Sequence, residues 1–380
     1  MSERRQHLVL AGAGHAHVIA LRAFIKHPPA NMRITLVTRE VMTPYSGMLP
    51  GVIAGHYPAG AALIDTRPLA QAAGAELVED EVTGLDPTAR RVALKSGGSI
   101  GYDFLSIDVG SQPTMLDVPG AVERVIPVKP IDHLLREFAG LEERFRLRGH
   151  QGRIAVVGGG AGGTELAFSI SHRLRETARL AGVDPSRTQV TIIAGERGLL
   201  PDFPAGFRSR VARALEKRHL LVRPGQRVRR VEAGCLFLDD GARVSADEIL
   251  WTTQAAAASW IAVSGLATDD AGFIAVDAHL RSLSHDNVFA AGDVASFTPR
   301  AIPKSGVYAV RAGPVLAENL RCAAARCGLQ EFKPQEHVLY ILSTGDRNAV
   351  ATRNGISVSG RICWMLKDWI DRGFISRFTV

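Results

Sequence analysis

"GRIAVVGGGAGGTELAFSISHRL", residues 152–174, decides the fold. Apolar Ile154 to Val157 read as a short buried strand. Gly158, Gly160 and Gly163 then complete the spacing GxGxxG, and a helical run continues through Glu165 to about Leu174. A second strand, Val190 to Ala194, follows. Strand, glycine turn and helix in that order make a dinucleotide-binding βαβ unit. The first glycine permits the tight turn, the second lets a pyrophosphate approach the backbone, and the third lets helix and strand pack closely. The helix N-terminus offers free N–H groups and a positive dipole end to the phosphates. The acid that commonly closes the second strand is absent. Ala194 stands there, with Glu196 two residues on as a substitute and Arg197 beside it suited to a 2′-phosphate.

A second unit of this kind opens the chain. In "HLVLAGAGHAHVIALRAFIKH", residues 7–27, Leu8 to Ala11 form the strand and Gly12 and Gly14 the turn. The helix runs to about His27, where Pro28 and Pro29 stop it, and Ile34 to Thr38 form the next strand. Two positions depart from the pattern. His17 takes the place of the third glycine, and Thr38 that of the acid. A hydroxyl still bonds a ribose, with less bias against a 2′-phosphate. His17 reads here as plain polarity at a helix start.

Each unit is followed by short strands and turns, in residues 77–113 and 228–254. The first run turns at Asp86-Pro87 and Gly97-Gly98 and ends at Gly110. A third landmark is the strand Asn287 to Ala291, which ends in Gly292-Asp293. A carboxylate at a strand end beside glycine suits a hydroxyl-rich ligand chain. The helix expected from about Val307 points its N-terminus at the same ligand. The loop "PYSGMLPGVIAG", residues 44–55, has three glycines, two prolines and no charge, which suits packing against something flat.

Composition bounds the rest. With 380 residues there is room for two or three domains, and 46% hydrophobic and 22% charged residues are ordinary for a globular protein. Cys235, Cys322, Cys327 and Cys363 contain no CxxC, so neither a zinc site nor a disulfide framework is expected. Cys322 and Cys327 read as small residues on a helix. "MSERRQ" leads straight into a strand, and no apolar run reaches the length of a membrane span, so a cytoplasmic protein is expected. A net charge of +7 suits nucleic acid, an anionic membrane surface or polyanionic cofactors. Dispersed arginines without interleaved aromatics argue against nucleic acid. Near the end, Trp364, Trp369, Ile370, Phe374 and Phe378 alternate with Lys367, Arg372 and Arg377. That stretch suits membrane-surface binding, or docking on its own protein or a twin.

Taken in order, "GAGHAH", "DVGSQP", "GGGAGGTELA", "GDVA" and "PKSGVYAVRAG" resemble the two-dinucleotide-binding-domain flavoproteins, the pyridine nucleotide-disulfide oxidoreductases. Within them the chain looks like the type II NADH:quinone oxidoreductases. Through "TPYSGMLPGVIAGHY", "GFIAVD" and "LKDWIDRGF" it is similar to the flavoprotein module fused ahead of selenide, water dikinase. The resemblance implies an α/β fold of two Rossmann-like three-layer domains, as in glutathione reductase, plus a small C-terminal segment. The implied divisions are an FAD domain in two parts, 1–120 and 266–325, an NAD(P)H domain at 121–265, and a C-terminal segment at 326–380.

It also implies non-covalent FAD with its pyrophosphate at Gly12, Gly14, His15 and Ala16. Thr38, Arg39 and Val82 would lie at the adenosine end and Ser46 and Gly47 along the flavin. Gly110 would lie beneath the cofactor, Gly292 and Asp293 at the ribityl or pyrophosphate portion, and Ser305 at the helix start. NADH or NADPH would sit at Gly158, Gly160, Gly163 and Glu196, with Glu165 and Lys304 as candidate catalytic residues and no metal. The acceptor would be a quinone or another small molecule. Peripheral contact at the inner membrane face and a homodimer are further implied partners. Some positions depart from these relatives. Ser46, Gly47 and Met48 stand where disulfide-reducing relatives carry a cysteine pair. Val307 and Arg311 replace glutamines beside the flavin, and Gln254 replaces a glycine near the nicotinamide. A flavin-binding sensor with a degraded nicotinamide site and a reductase of selenium or sulfur compounds are the alternative functions.

Overall fold

The computed structural model describes residues 5–113, 118–253 and 255–378, so Gln254 lies outside the described residues. The chain opens with β1 (Gln6–Ala11), α1 (His15–Lys26) and β2 (Met32–Thr38), followed by β3 (Ala75–Glu79) and β4 (Phe104–Ile107). Next come β5 (Ile126–Pro127), β6 (Gly152–Val157), α2 (Ala161–Leu180), β7 (Thr188–Ala194), β8 (Leu221–Pro224) and β9 (Glu248–Trp251). β10 (Val288–Ala290) and α3 (Gly306–Ala325) return to the first unit, and α4 (Arg361–Ile375) lies near the C-terminus.

Among the described residues, two five-stranded sheets organise the molecule, in the orders β10-β4-β1-β2-β3 and β5-β9-β6-β7-β8. All pairings in both are parallel. β1 and β6 are central, and each sheet reverses its winding there. The glycine turns after β1 and β6 therefore open at topological switch points, where crevices form beyond the strand ends. Leu8, Val9, Leu10 and Ala11 are fully buried, as a parallel strand covered on both faces requires. α2 runs to Leu180, past the expected stop near Leu174. Leu174 and Ala178 continue its buried stripe four residues apart, so packing favours another turn and a half of helix.

The apolar loop has a definite role. Residues Leu49–Ile53 form a short helix. Leu49 and Ile53 join the core of the second sheet, with Phe168 and Leu342. Gly51 is required because a side chain there would overlap the Tyr57 ring. The His56 Nε2–H group donates to Gly345 O at 2.7 Å, tying the loop to the C-terminal unit. The loop thus clamps the two sheets and the C-terminal segment together.

That segment pairs strands Tyr340–Ser343, Ala349–Arg353 and Ile356–Gly360 into an antiparallel sheet backed by α4. α4 docks on its own chain through Phe374, which with Phe378 packs against Val18, Ile64 and Leu69. Its other face keeps Ile362 82% and Trp369 74% exposed.

The cysteine reading needs correction, because Cys322 and Cys327 form a disulfide. α3 stops at Ala325, Arg326 turns left-handed at φ 56°, and Cys327 N donates to Cys322 O at 2.9 Å. The chain doubles back at the helix end instead of continuing along it, which brings the two Cα atoms to 4.7 Å.

Candidate functional site

The turn after β1 is built around Asp108, just past the end of β4. Gly12 has φ +90°, and a Cβ there would fall 2.5 Å from Asp108 O. Side chains at Gly14 or Gly292 would overlap the Asp108 carboxylate itself. Three separated glycines therefore wall one acid that is 3% exposed. Its Oδ2 accepts Ala16 N at 2.9 Å and His17 N at 3.2 Å, the free N–H groups of the first turn of α1. Burial pushes the Asp108 carboxyl up to about 7, against the two N–H groups that favour its charge, and nearby Asp293 adds to the rise.

Asp293 follows Gly292 as expected. Its Oδ2 accepts Lys129 Nζ at 2.5 Å and Ser111 Oγ at 3.2 Å. Two neighbouring groups are left buried and unsatisfied. His15 Nε2 and Ser305 Oγ have no hydrogen-bond partner among the described residues. An orphaned buried polar atom costs about 1–3 kcal/mol, so both positions point to a missing partner. Burial holds the His15 imidazole near 4 and neutral, and its ring meets Tyr45 edge-on at 5.7 Å. A Cβ at Gly110 would have open space around it. Ser46 lies against the start of α3, with its Oγ 3.2 Å from where a Gly306 side chain would begin.

His17 corrects the reading of helix-start polarity. It is fully buried in the helix–strand seam where the third glycine would stand. The Nδ1–H group donates to Gly12 O at 2.6 Å, and Nε2 accepts Ser106 Oγ at 2.8 Å. The ring fills the seam and satisfies both of its own nitrogens. Burial lowers its pKa to about 4, against the Gly12 hydrogen bond. The unfolded chain therefore binds a proton near pH 6.5 that the folded chain refuses until about 4. The stability from this group is whole above about pH 6.5 and is lost as pH falls toward 4. Replacing His17 with glutamine is expected to flatten the acid limb of a stability-against-pH curve by about 1.4 kcal/mol per pH unit, measured by urea unfolding.

The second turn has the same logic with different atoms. A side chain at Gly158, where φ is +131°, would overlap Thr252 Oγ1, and one at Gly163 would fall 2.5 Å from the same atom. Thr252 Oγ1 is fixed by donating to Val157 O at 2.9 Å. Around Gly160 and Gly195 the space is open. Beyond β7, Glu196 accepts Arg227 Nη2 at 2.9 Å, while Arg197 pairs with Asp202.

Glu165, in the second turn of α2, meets the C-terminal segment. Its Oε1 accepts Ser343 N at 2.8 Å. Burial raises its carboxyl, and the charge of Lys367 opposes that rise. Lys367 Nζ donates to Gly47 O at 2.6 Å and Asp371 Oδ2 at 2.8 Å. Tyr45 OH donates to Asp371 Oδ1 at 3.1 Å. Burial would strip the proton from Lys367, but Glu165 and Asp371 outweigh it and hold the ammonium charged. Lys304 has other neighbours. Its Nζ donates to Ala295 O at 2.5 Å and lies 3.7 Å from the Phe273 ring centre, and burial brings it down to about 8. Glu165 and Lys304 thus have different neighbours.

At the C-terminal end of β2, Thr38 Oγ1 donates to Glu40 O at 2.9 Å, Arg39 is exposed, and Val82 is buried in the first core. Sequence reasoning missed Asp108, Lys129, Tyr45, Lys367 and Asp371 as members of the site. The spacing of Lys367 and Asp371, four apart on an amphipathic helix, was the one local signal for that pair.

Residues 6–313 match the pyridine nucleotide-disulphide oxidoreductase family. An NADH dehydrogenase-like protein of Mycobacterium tuberculosis is 30% identical over 59% of this chain and 56% of its own length, so the chain spans little more than half of that relative. A type II NADH:quinone oxidoreductase of Staphylococcus aureus is 22% identical over 98% of this chain and 95% of its own. Among solved structures, NDH2 from Plasmodium falciparum in complex with NADH superposes with a TM-score of 0.82 at 15% identity, covering 99% of this chain and 97% of that one. The sulfide:quinone oxidoreductase from Aquifex aeolicus gives 0.81 at 17%, covering 98% and 91%.

Proposed function

The chain belongs to the pyridine nucleotide-disulphide oxidoreductase family, and from that premise we propose that it is an FAD-dependent NAD(P)H oxidoreductase passing electrons to a quinone or another small acceptor. The observation that carries this reading is the first cradle. There a glycine turn at a switch point stands beside buried His15 Nε2 and Ser305 Oγ, which have no hydrogen-bond partner among the described residues. FAD, when bound, supplies a hydride acceptor for nicotinamide and an electron donor for the second substrate. Gly12, Gly14, His15 and Ala16 would hold its pyrophosphate, with Thr38, Arg39 and Val82 toward the adenosine. Ser46, Gly47, Gly110 and Ser305 would line the flavin, and Gly292 and Asp293 the ribityl chain. Gly158, Gly160, Gly163 and Glu196 would bind NADH or NADPH.

The chain's own groups orient the reactants and hold protons. Lys367 keeps a charged ammonium on the Gly47 carbonyl, beside the loop that would border the flavin. Glu165 is the acid whose proton affinity that ammonium tunes. Lys304 braces the segment before Ser305 through the Ala295 carbonyl. A protein disulfide as acceptor is disfavoured. Cys322–Cys327 lies at the far end of α3, about 25 Å along the helix from Ser305. Heat-released flavin from purified protein tests the cofactor directly. Chromatography should return FAD. FMN or no flavin contradicts the reading.

No helix among the described residues is long and apolar enough to cross a membrane. The outer face of α4 supports contact with a membrane surface instead. Ile362, Met365 and Trp369 are exposed on it, close in sequence to Arg361 and Arg372. Trp369→Glu is expected to lower co-sedimentation with anionic vesicles about tenfold, at unchanged flavin content. Unchanged sedimentation together with dissociation of a dimer would assign the face to a second copy.

A further inference from the structure

The first cradle holds a carboxyl group of its own. The N–H groups of Ala16 and His17 lie where α1 would meet a pyrophosphate, and both donate to the Asp108 carboxylate. Gly14 and Gly292 are glycine at the points where a side chain would overlap that carboxylate. Asp108 is therefore built into the phosphate cradle.

Resting on the reading of this cradle as an FAD site, we propose that Asp108 competes with the cofactor's pyrophosphate for the N-terminus of α1 and that FAD binding is coupled to uptake of one proton by its carboxylate. Two phosphate charges and an ionised, buried carboxylate cannot share one helix end without strong repulsion. Protonation removes that repulsion and turns Asp108 from acceptor into donor, so it can give an O–H to a phosphate oxygen instead of taking the helix N–H groups. The proton comes from solvent and returns there when the cofactor leaves.

The surroundings single out Asp108. The histidines at the start of α1, His15 and His17, are both neutral near pH 7 because burial holds their pKa values near 4. From the turn after β10 it faces Asp293, whose charge is engaged by Lys129. The amides of α1 are thus its direct stabilising partners, and these are the groups a pyrophosphate would take. Burial already brings its carboxyl up to about 7, so the uptake falls in a range accessible to experiment. The sign follows from linkage. The complex binds more protons than free protein plus FAD, so affinity falls as pH rises.

Dilution of the holoprotein, followed by the fluorescence of released FAD, measures the dissociation constant across pH. It is expected to rise roughly tenfold between about pH 7.5 and 8.5 in the natural protein. In Asp108→Asn it should stay flat over that interval and be lower at the upper end. Asp108→Ser, which is smaller and also uncharged, should be flat as well and guards against a folding failure of the first variant. A pH-independent constant in the natural protein overturns the proposal, and that result needs no variant. A slope that persists in a folded Asp108 variant also overturns it, because the proton then resides elsewhere, as on Lys304, which burial brings down to about 8 and which lies near Asp293. Protein that retains no FAD at any pH overturns the flavin reading and the coupling together, a result distinct from tight, pH-independent binding.

Discussion

Gly158→Ala is expected to leave FAD content unchanged and to lower kcat/KM for NADH by about a hundredfold. The residue sits at φ +131°, a conformation that L side chains rarely adopt, and its new methyl would overlap Thr252 Oγ1. Thr252 cannot withdraw cheaply, since its hydroxyl is anchored on Val157 O at the end of β6. The loop before α2 must shift instead, and a displacement of about 1 Å in a group that positions a reactant costs on the order of a hundredfold. The first cradle is built on a different sheet, so the flavin should remain. Stopped-flow reduction by NADH, beside the absorbance of bound flavin, separates the two effects. Loss of flavin together with activity would place Gly158 in general stability.

Lys367→Met is expected to destabilise the protein by about 3–5 kcal/mol, the usual loss when one partner of a buried ion pair is removed. Lys367 and Asp371 are 14% and 6% exposed. The ammonium also meets the Gly47 carbonyl and offsets the charge of Glu165. Without it, two carboxyls and one carbonyl lose the ammonium they share, and the Glu165 carboxyl rises further. Because the node joins α4, α2 and the 44–55 loop, the C-terminal helix should loosen first. Lys367→Met combined with Asp371→Leu should recover part of the loss, since it removes the stranded charge along with its partner. Urea unfolding of the three proteins gives the comparison. A loss below about 1 kcal/mol would mean that water reaches the pair and screens it.

The two dinucleotide units were legible in the sequence because their signals are local. A buried apolar run, glycines at fixed offsets and a helix after them lie within two dozen residues, and Gly292-Asp293 reads in the same way. What stayed hidden depends on residues far apart in the chain. Asp108 meets Ala16 across 92 positions, and Lys367 meets Gly47 across 320. No spacing rule reaches that far, and a single acid before Gly110 looks like any strand end. His17 was misread for the same reason. Its polarity is visible locally, but the seam that buries it is formed by β4. The loop at 44–55 showed its apolar character but not its destination, since the second core that receives Leu49 and Ile53 is assembled from Ile126 onward. The disulfide depended on Arg326 turning left-handed, which a helical reading of "RCAAARC" does not anticipate.

The central claim is that a nicotinamide bound at the second glycine turn reduces a flavin bound at the first. Anaerobic titration of the purified holoprotein with NADH, and separately with NADPH, tests it most directly. The account predicts that about one equivalent of at least one of them bleaches the visible flavin band completely and that a ubiquinone analogue then restores it. A flavin that stays oxidised in excess of both nucleotides, yet bleaches with a chemical reductant, would contradict it.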